Sequence, residues 1–186
     1  RWERRAYVQT MKYWIARHST HQLAASQPAS QTLSNSRFRG PKCHVLHCGI
    51  DLDPFRTAPP RAEIRRELGI DERAFVLGHV GRFVDTKNHR FLLAVFAELI
   101  ADPSCHLLLV GDGPLRQSLE ALAKKLDVQD NVQFVGSVLN VDVPRFLRGA
   151  NISVMPSVVA SSGDQEGLGL VAVEALGCGC AVVAFD

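Results

Sequence analysis

From Ala74 onward the sequence predicts an α/β domain, a doubly wound parallel β-sheet covered by helices on both faces. Short continuous apolar runs recur near Phe75–Val80, His106–Val110, Val132–Val135, Ile152–Met155 and Ala181–Ala184. A strand buried on both faces has this unbroken character, whereas a strand with one wet face alternates. Helical stretches separate the runs, roughly Asn88–Ile100, Pro114–Leu126, Val143–Leu147 and Gly167–Leu176. Strand and helix in regular alternation imply crossover connections, and crossovers make parallel pairs.

Taken in order, Arg1–His18 carries Tyr7, Met11, Trp14 and Ile15 at helical spacing, with Arg4, Arg5, Lys12 and Arg17 between them. That pattern reads as a basic amphipathic helix whose aromatic stripe is expected in a core, the alternative being a helix on an anionic membrane surface. Ser34–Lys42 is polar and broken by Gly40-Pro41, so a domain boundary is placed there, with residues 1–40 before it and 41–186 after it. Cys43–Leu46 reads as a strand and His47–Asp51 as a turn. Pro59-Pro60 opens a charged helix over Arg61–Leu68, which Gly69 ends. In the last stretch Gly177 is expected to stop a helix, and Ala181–Ala184 to be a buried strand.

Composition narrows the function. With 186 residues, 46% of them hydrophobic, the chain suits one domain and part of another. It begins at Arg1 and stops at Asp186, directly after a strand, and is expected to be a piece of a longer protein. A net charge of +2 and a pI near 8.4 supply no strong field, so no nucleic-acid partner is expected. The longest apolar run, Phe91–Ala101, contains Glu98 and is too short to span a bilayer. Five cysteines in unrelated contexts fit reduced thiols and a cytoplasmic protein. His44, His47 and Cys48 lack a second ligand pair at zinc spacing, and Asp51 with Asp53 reads as a turn-forming pair. No metal site and no cofactor are expected.

Ligands of open α/β sheets bind beyond the carboxyl ends of the strands, which makes those ends the places to look for chemistry. After the first comes Gly81-Arg82, with Lys87 close behind. A guanidinium and an ammonium there either grip a diphosphate or are solvated surface cations. Gly111-Asp112-Gly113 has the context of a dinucleotide fingerprint, but Arg116 holds the third glycine position and a tight turn is the economical account. Glu166 and Glu174 bracket Gly167-Leu168-Gly169-Leu170. If a helix starts near Gly167, its positive end suits a phosphate and the two carboxylates stand about 12 Å apart along it. Two surface glutamates are the plain alternative, although a lone Glu174 among Leu170, Val171, Val173 and Leu176 needs a partner or a ligand.

Several stretches in order resemble a single family: His47-Cys48-Gly49-Ile50-Asp51-Leu52-Asp53-Pro54-Phe55, Gly81-Arg82-Phe83 with Lys87, Leu109 to Pro114, Phe134-Val135-Gly136, Ala150 to Ser157, and Glu166 with Glu174. They are similar to the group 1 family of retaining glycosyltransferases with the GT-B fold. The resemblance implies a GT-B type, Rossmann-like sheet. Residues 41–186 would be an incomplete C-terminal nucleotide-sugar-binding domain, and 1–40 the tail of the N-terminal, acceptor-side domain. The implied activity is hexosyl transfer from a UDP- or GDP-linked sugar to a glycan or lipid-linked acceptor, as in cell-surface polysaccharide synthesis. Such a protein would be cytoplasmic, with peripheral contact at the inner face of the membrane, and this chain alone inactive.

The resemblance also implies roles. Gly81, Arg82 and Lys87 would bind the donor diphosphate without a metal, and Glu166 would face the transferred sugar. The amides of Gly167, Leu168, Gly169 and Leu170 would meet the phosphates, and Glu174 would hold the ribose hydroxyls. The loop from Gly136 to Val138 would contact the base, and Ser157 is assigned to the donor side as well. Cys48, Asn151 and Cys180-Ala181 depart from the usual asparagine, aspartate and proline of that pattern. A nucleotide-sugar epimerase of GT-B fold and a non-catalytic nucleotide-binding subunit are the alternative functions.

Overall fold

The computed structural model describes residues 2–34, 43–47, 49–100, 104–166 and 169–185. The expected linker over 35–42, Cys48 of the turn, and the phosphate-side residues Gly167 and Leu168 lie outside the described residues. The chain forms two compact units, Arg1–Gly49 and Ile50–Asp186.

The first unit opens with α1 (Trp2–His18), followed by β1 (Gln22–Ala24), α2 (Gln27–Ser34) and β2 (Cys43–Val45). β1 and β2 pair in parallel, so the strand that composition grouped with residues 41–186 has its partner in the first unit. α2 was not expected. Its start is marked by Ser26, whose hydroxyl accepts from Ala29 N at 3.4 Å, and by a proline in its first turn. The expected core stripe of α1 is corrected: Tyr7 and Trp14 are 66% and 57% exposed, and Met11 is exposed too. Helical spacing shows that a face is apolar, not that anything in the same unit covers it.

The second unit begins with two short helices, α3 (Asp53–Arg56) and α4 (Arg61–Glu67). Asp51 accepts from Asp53 N at 3.0 Å, as a turn-forming aspartate does. The sheet is then built from β3 (Phe75–Val80), β4 (Cys105–Val110), β5 (Val132–Gly136), β6 (Ile152–Met155) and β7 (Ala181–Ala184). Between them run α5 (His89–Leu99), α6 (Arg116–Lys125), α7 (Val143–Gly149) and α8 (Leu170–Gly177). All strand pairs are parallel, in the order β5-β4-β3-β6-β7. The order reverses between β3 and β6, the switch point of a doubly wound sheet.

Side chains leave the central strands alternately to two cores. Val76, Leu108 and Val110 pack with Leu147 of α7 and Ala175 of α8 on one face. Leu77, Leu107 and Leu109 pack with Leu92, Leu93 and Phe96 of α5 and Leu119 of α6 on the other. Two elements depart from expectation. β7 is an edge strand with Ala181, Val183 and Ala184 exposed, because an edge position leaves an apolar run half uncovered. Gly177 is the last residue of α8, and the left-handed turn falls at Gly179, with φ +71°. A Cβ on Gly177 would meet Leu52 Cδ2 at 2.9 Å, so it is bare because the residues leading into α3 press on it.

Candidate functional site

The carboxyl ends of β3, β4 and β5 meet through glycines. Gly81 N donates to Val110 O, and Gly111 N to Gly136 O, each at 2.9 Å. Gly111 has φ +133°, and a Cβ there would lie 2.0 Å from Gly81 O. A Cβ on Gly113 would lie 2.6 Å from Phe83 O. Both glycines of the expected tight turn are therefore required by the loop after β3, which runs against them.

That loop is pinned on both sides of Arg82. Phe83 is fully buried; its N–H donates to Asp112 O at 2.9 Å and its carbonyl accepts from Leu115 N at 3.2 Å. The Arg82 carbonyl accepts from Val84 N at 2.9 Å, while its side chain is exposed and makes no hydrogen bond or ion pair among the described residues. A 3-10 turn over Asp85–Lys87 follows, and Asn88, in the left-handed region at φ 52°, leads into α5.

Across the switch point, the loop after β6 meets this one twice. Val158 N donates to Thr86 O at 2.9 Å, and Lys87 Nζ forms an ion pair with Glu166. The lysine side chain is 17% exposed and the glutamate 34%. The two charges are thus half out of water, where a pair is stronger than on an open surface. Ser157, in the same loop, has a buried hydroxyl with no partner among the described residues.

Under this contact lie two histidines that sequence reasoning missed. His79, the penultimate residue of β3, and His89, the first of α5, are each 1% exposed. Their rings meet edge to face with centroids 4.6 Å apart, and His89 meets Phe83 in the same way. His79 Nδ1 lies 2.8 Å from Val154 O, while His79 Nε2 and both His89 nitrogens have no partner among the described residues. Burial pushes His79 down to about 4 and His89 down to about 3, the Lys87 charge adding to both. Both are neutral at pH 7. A histidine inside an apolar run, as His79 is, was the available signal.

On the other wall, Gly169 takes φ 61° with its Cβ position 3.1 Å from Met155 Cε, and α8 begins at Leu170. Glu166 is therefore in the loop, not on the helix, and the 12 Å helical spacing to Glu174 does not apply. Glu174 sits in the second turn of α8, half-buried, and burial raises its carboxyl above the usual range. That carboxyl group has no hydrogen bond or ion pair among the described residues, although the Glu174 carbonyl accepts from Cys178 N at 3.1 Å. Gly136, at φ +91°, has Arg116 Nη1 3.4 Å from its Cβ position. Val138 packs on the core beside it. The fold thus joins Gly81, Lys87, Glu166 and Gly136 through direct or glycine-mediated contacts, with Arg82 free beside them.

Such a crevice combines two cations, a carboxylate and bare backbone, which suits a phosphorylated, hydroxyl-rich ligand. The chain is 34% identical over 148 residues, 77% of its length, to a GDP-mannose-dependent monoacylated alpha-(1-6)-phosphatidylinositol monomannoside mannosyltransferase of Corynebacterium glutamicum, and spans 38% of that protein. It is 36% identical over 84% of its length to the D-inositol 3-phosphate glycosyltransferase of Mycobacterium sp. strain KMS, spanning 34% of it. The crystal structure of Anabaena HepE in complex with UDP and glucose superimposes with TM-score 0.83 at 25% identity, covering 95% of this chain and 47% of HepE. The chain thus spans less than half the length of these relatives. The model of the Glycosyl transferases group 1 family matches residues 60–186, and the chain belongs to that family, with its GT-B type sheet.

Proposed function

We propose that residues 50–186 bind the nucleoside diphosphate-sugar donor of a hexosyltransferase whose acceptor is a glycan or a lipid-linked sugar. The observation that carries this reading is the Lys87–Glu166 pair, made by the two loops that flank the switch point. Arg82 and Lys87 take the diphosphate, and Glu166 faces the transferred sugar. Amides of Gly167, Leu168, Gly169 and Leu170 meet the phosphates, while Ser157 and Gly81 line the same side. Glu174 holds the ribose, and Gly136 to Val138 the base. As the sugar leaves, negative charge grows on the diphosphate, and two cations already in place stabilise it without a metal. Donor chemistry of this kind is named in the relatives: GDP-mannose for the Corynebacterium enzyme, UDP and glucose for HepE. The reaction retains anomeric configuration, and the protein works in the cytoplasm, with peripheral contact at the inner membrane face when the acceptor is a lipid.

Titration of the chain with UDP and with GDP tests the reading. The wild type should bind at least one of them, and Glu174→Ala should weaken it about tenfold or more, the loss of charge-assisted bonds to two hydroxyls. Unchanged affinity in that variant would sink the ribose assignment, and no binding of any nucleoside diphosphate would sink the site.

A further inference from the structure

The His79 imidazole is fully enclosed at the switch point, under the loop that carries Gly81 and Lys87. A carbonyl oxygen can only accept, so the 2.8 Å contact with Val154 O places the proton on Nδ1. Nε2 is left as a bare lone pair, and it has no partner among the described residues. A buried acceptor without a donor is destabilising by itself, which makes its persistence informative. Its position is specific. His79 Nε2 and Lys87 Cε lie 3.2 and 3.3 Å from one point, the place a Cβ on Gly81 would occupy. Both atoms border the space that the bare Gly81 leaves open, so the lysine stem passes no more than about 6.5 Å from Nε2, with the ammonium one bond further on and now held by Glu166.

Lysine has three N–H donors and Glu166 takes part of that capacity. On the reading that this crevice holds a nucleoside diphosphate-sugar, Glu166 turns toward the sugar and Lys87 toward the phosphates. We propose that His79 is a positioning residue, its Nε2 accepting from Lys87 Nζ in the donor-bound state and fixing the ammonium against the diphosphate. The role needs a neutral imidazole, and burial keeps it one at pH 7.

Two variants separate this from a structural tie between β3 and β6. Asparagine can replace the Nδ1–H toward Val154 O but puts nothing at the Nε2 position; glutamine reaches that position and loses the tie. Affinities for UDP, GDP, UMP and GMP are measured by calorimetry. His79→Asn should lose about tenfold for the diphosphate of the preferred base and stay near wild type for its monophosphate, while His79→Gln keeps most of the affinity. In a Lys87→Ala background, His79→Asn should add no further loss. Undiminished diphosphate binding in His79→Asn, an equal loss in His79→Gln, or an additive loss on Lys87→Ala each overturns the role. If the wild type shows no preference for diphosphate over monophosphate, the site reading itself fails and the role with it. Where His79→Asn does not fold, the 15N resonance of His79 Nε2 in the wild type decides. It should move upfield on saturation with the preferred diphosphate, and an unmoved signal overturns the proposal.

Discussion

At the scale of single residues, the unexpected feature is a pair of neutral buried histidines. An ordinary imidazole titrates near 6.5, whereas His79 is pushed down to about 4 and His89 to about 3. Between those values and 6.5 the unfolded chain binds more protons than the folded one, so stability is complete above pH 6.5 and is lost as pH falls toward the folded values. Each histidine contributes up to about 1.4 kcal/mol per pH unit across that window. Neither His89 nitrogen has a partner among the described residues, and its ring packs on Phe83. His89→Phe should therefore be near neutral at pH 7.5 and should flatten the decline. Urea unfolding at pH 7.5, 6 and 5 reads this directly, and equal slopes in variant and wild type would refute it. Arg65 is the opposite case, a buried charge with four of its five N–H donors placed on acceptors. It is 2% exposed; its guanidinium donates to Gly149 O, Glu72 O, Ala74 O and Asn151 Oδ1 at 2.6 to 3.0 Å. The same Asn151 oxygen accepts from Val76 N at 2.8 Å, so a neutral amide serves where the family pattern has a carboxylate.

At the scale of elements, the three strands ending near the site are held by glycine contacts, and Gly111 is the most constrained. With φ +133° and its Cβ position 2.0 Å from Gly81 O, Gly111→Ala must shift either β4 or the loop of Arg82 and Lys87. A loss of about 3 kcal/mol or more is expected in urea unfolding, with nucleotide affinity falling alongside. A loss under about 1 kcal/mol would mean that the strand ends move freely. This glycine was legible as a turn signal, but what it avoids was not, because the obstacle lies thirty residues earlier in the chain. Legibility divides the same way elsewhere. The five strands of the sheet were readable within a residue or so, since each is a short continuous apolar run with no polar alternation to confuse it. The parallel sheet followed from the helices between them. What periodicity could not show was which side of an apolar element is covered. The apolar stripe of α1 and the apolar strand β7 are the examples, each largely exposed. Nor could it show that Arg65, in a helix read as charged, points inward. Among the candidate site residues, Gly81, Lys87 and Glu166 were nameable as strand-end residues, yet their meeting depends on the strand order, which no local pattern encodes.

At the scale of the whole molecule, the division of labour follows from topology. The candidate donor-side residues described here, from Gly81 to Glu174, stand at the strand ends of one sheet or on α8. In a doubly wound sheet the ligand crevice lies outside the carboxyl ends of the strands, at the switch point. An acceptor then needs a second surface facing that crevice, and the chain spans only 34 to 47% of the length of relatives named as transferases or solved with UDP and glucose. Binding and turnover should therefore separate. The 186-residue chain should bind its nucleoside diphosphate, and at about 100 times Kd the ligand should stabilise it by about 2.7 kcal/mol. It should release no nucleoside diphosphate from a nucleotide-sugar. A form extended to the two-domain length of those relatives should release it, with Arg82→Ala and Lys87→Ala each slowing the release about a hundredfold and chelator having no effect. Release by the short chain would place the acceptor groups within it, loss of release with chelator would assign the diphosphate charge to a metal, and a free nucleotide-sugar as the sole product would make the reaction an epimerisation.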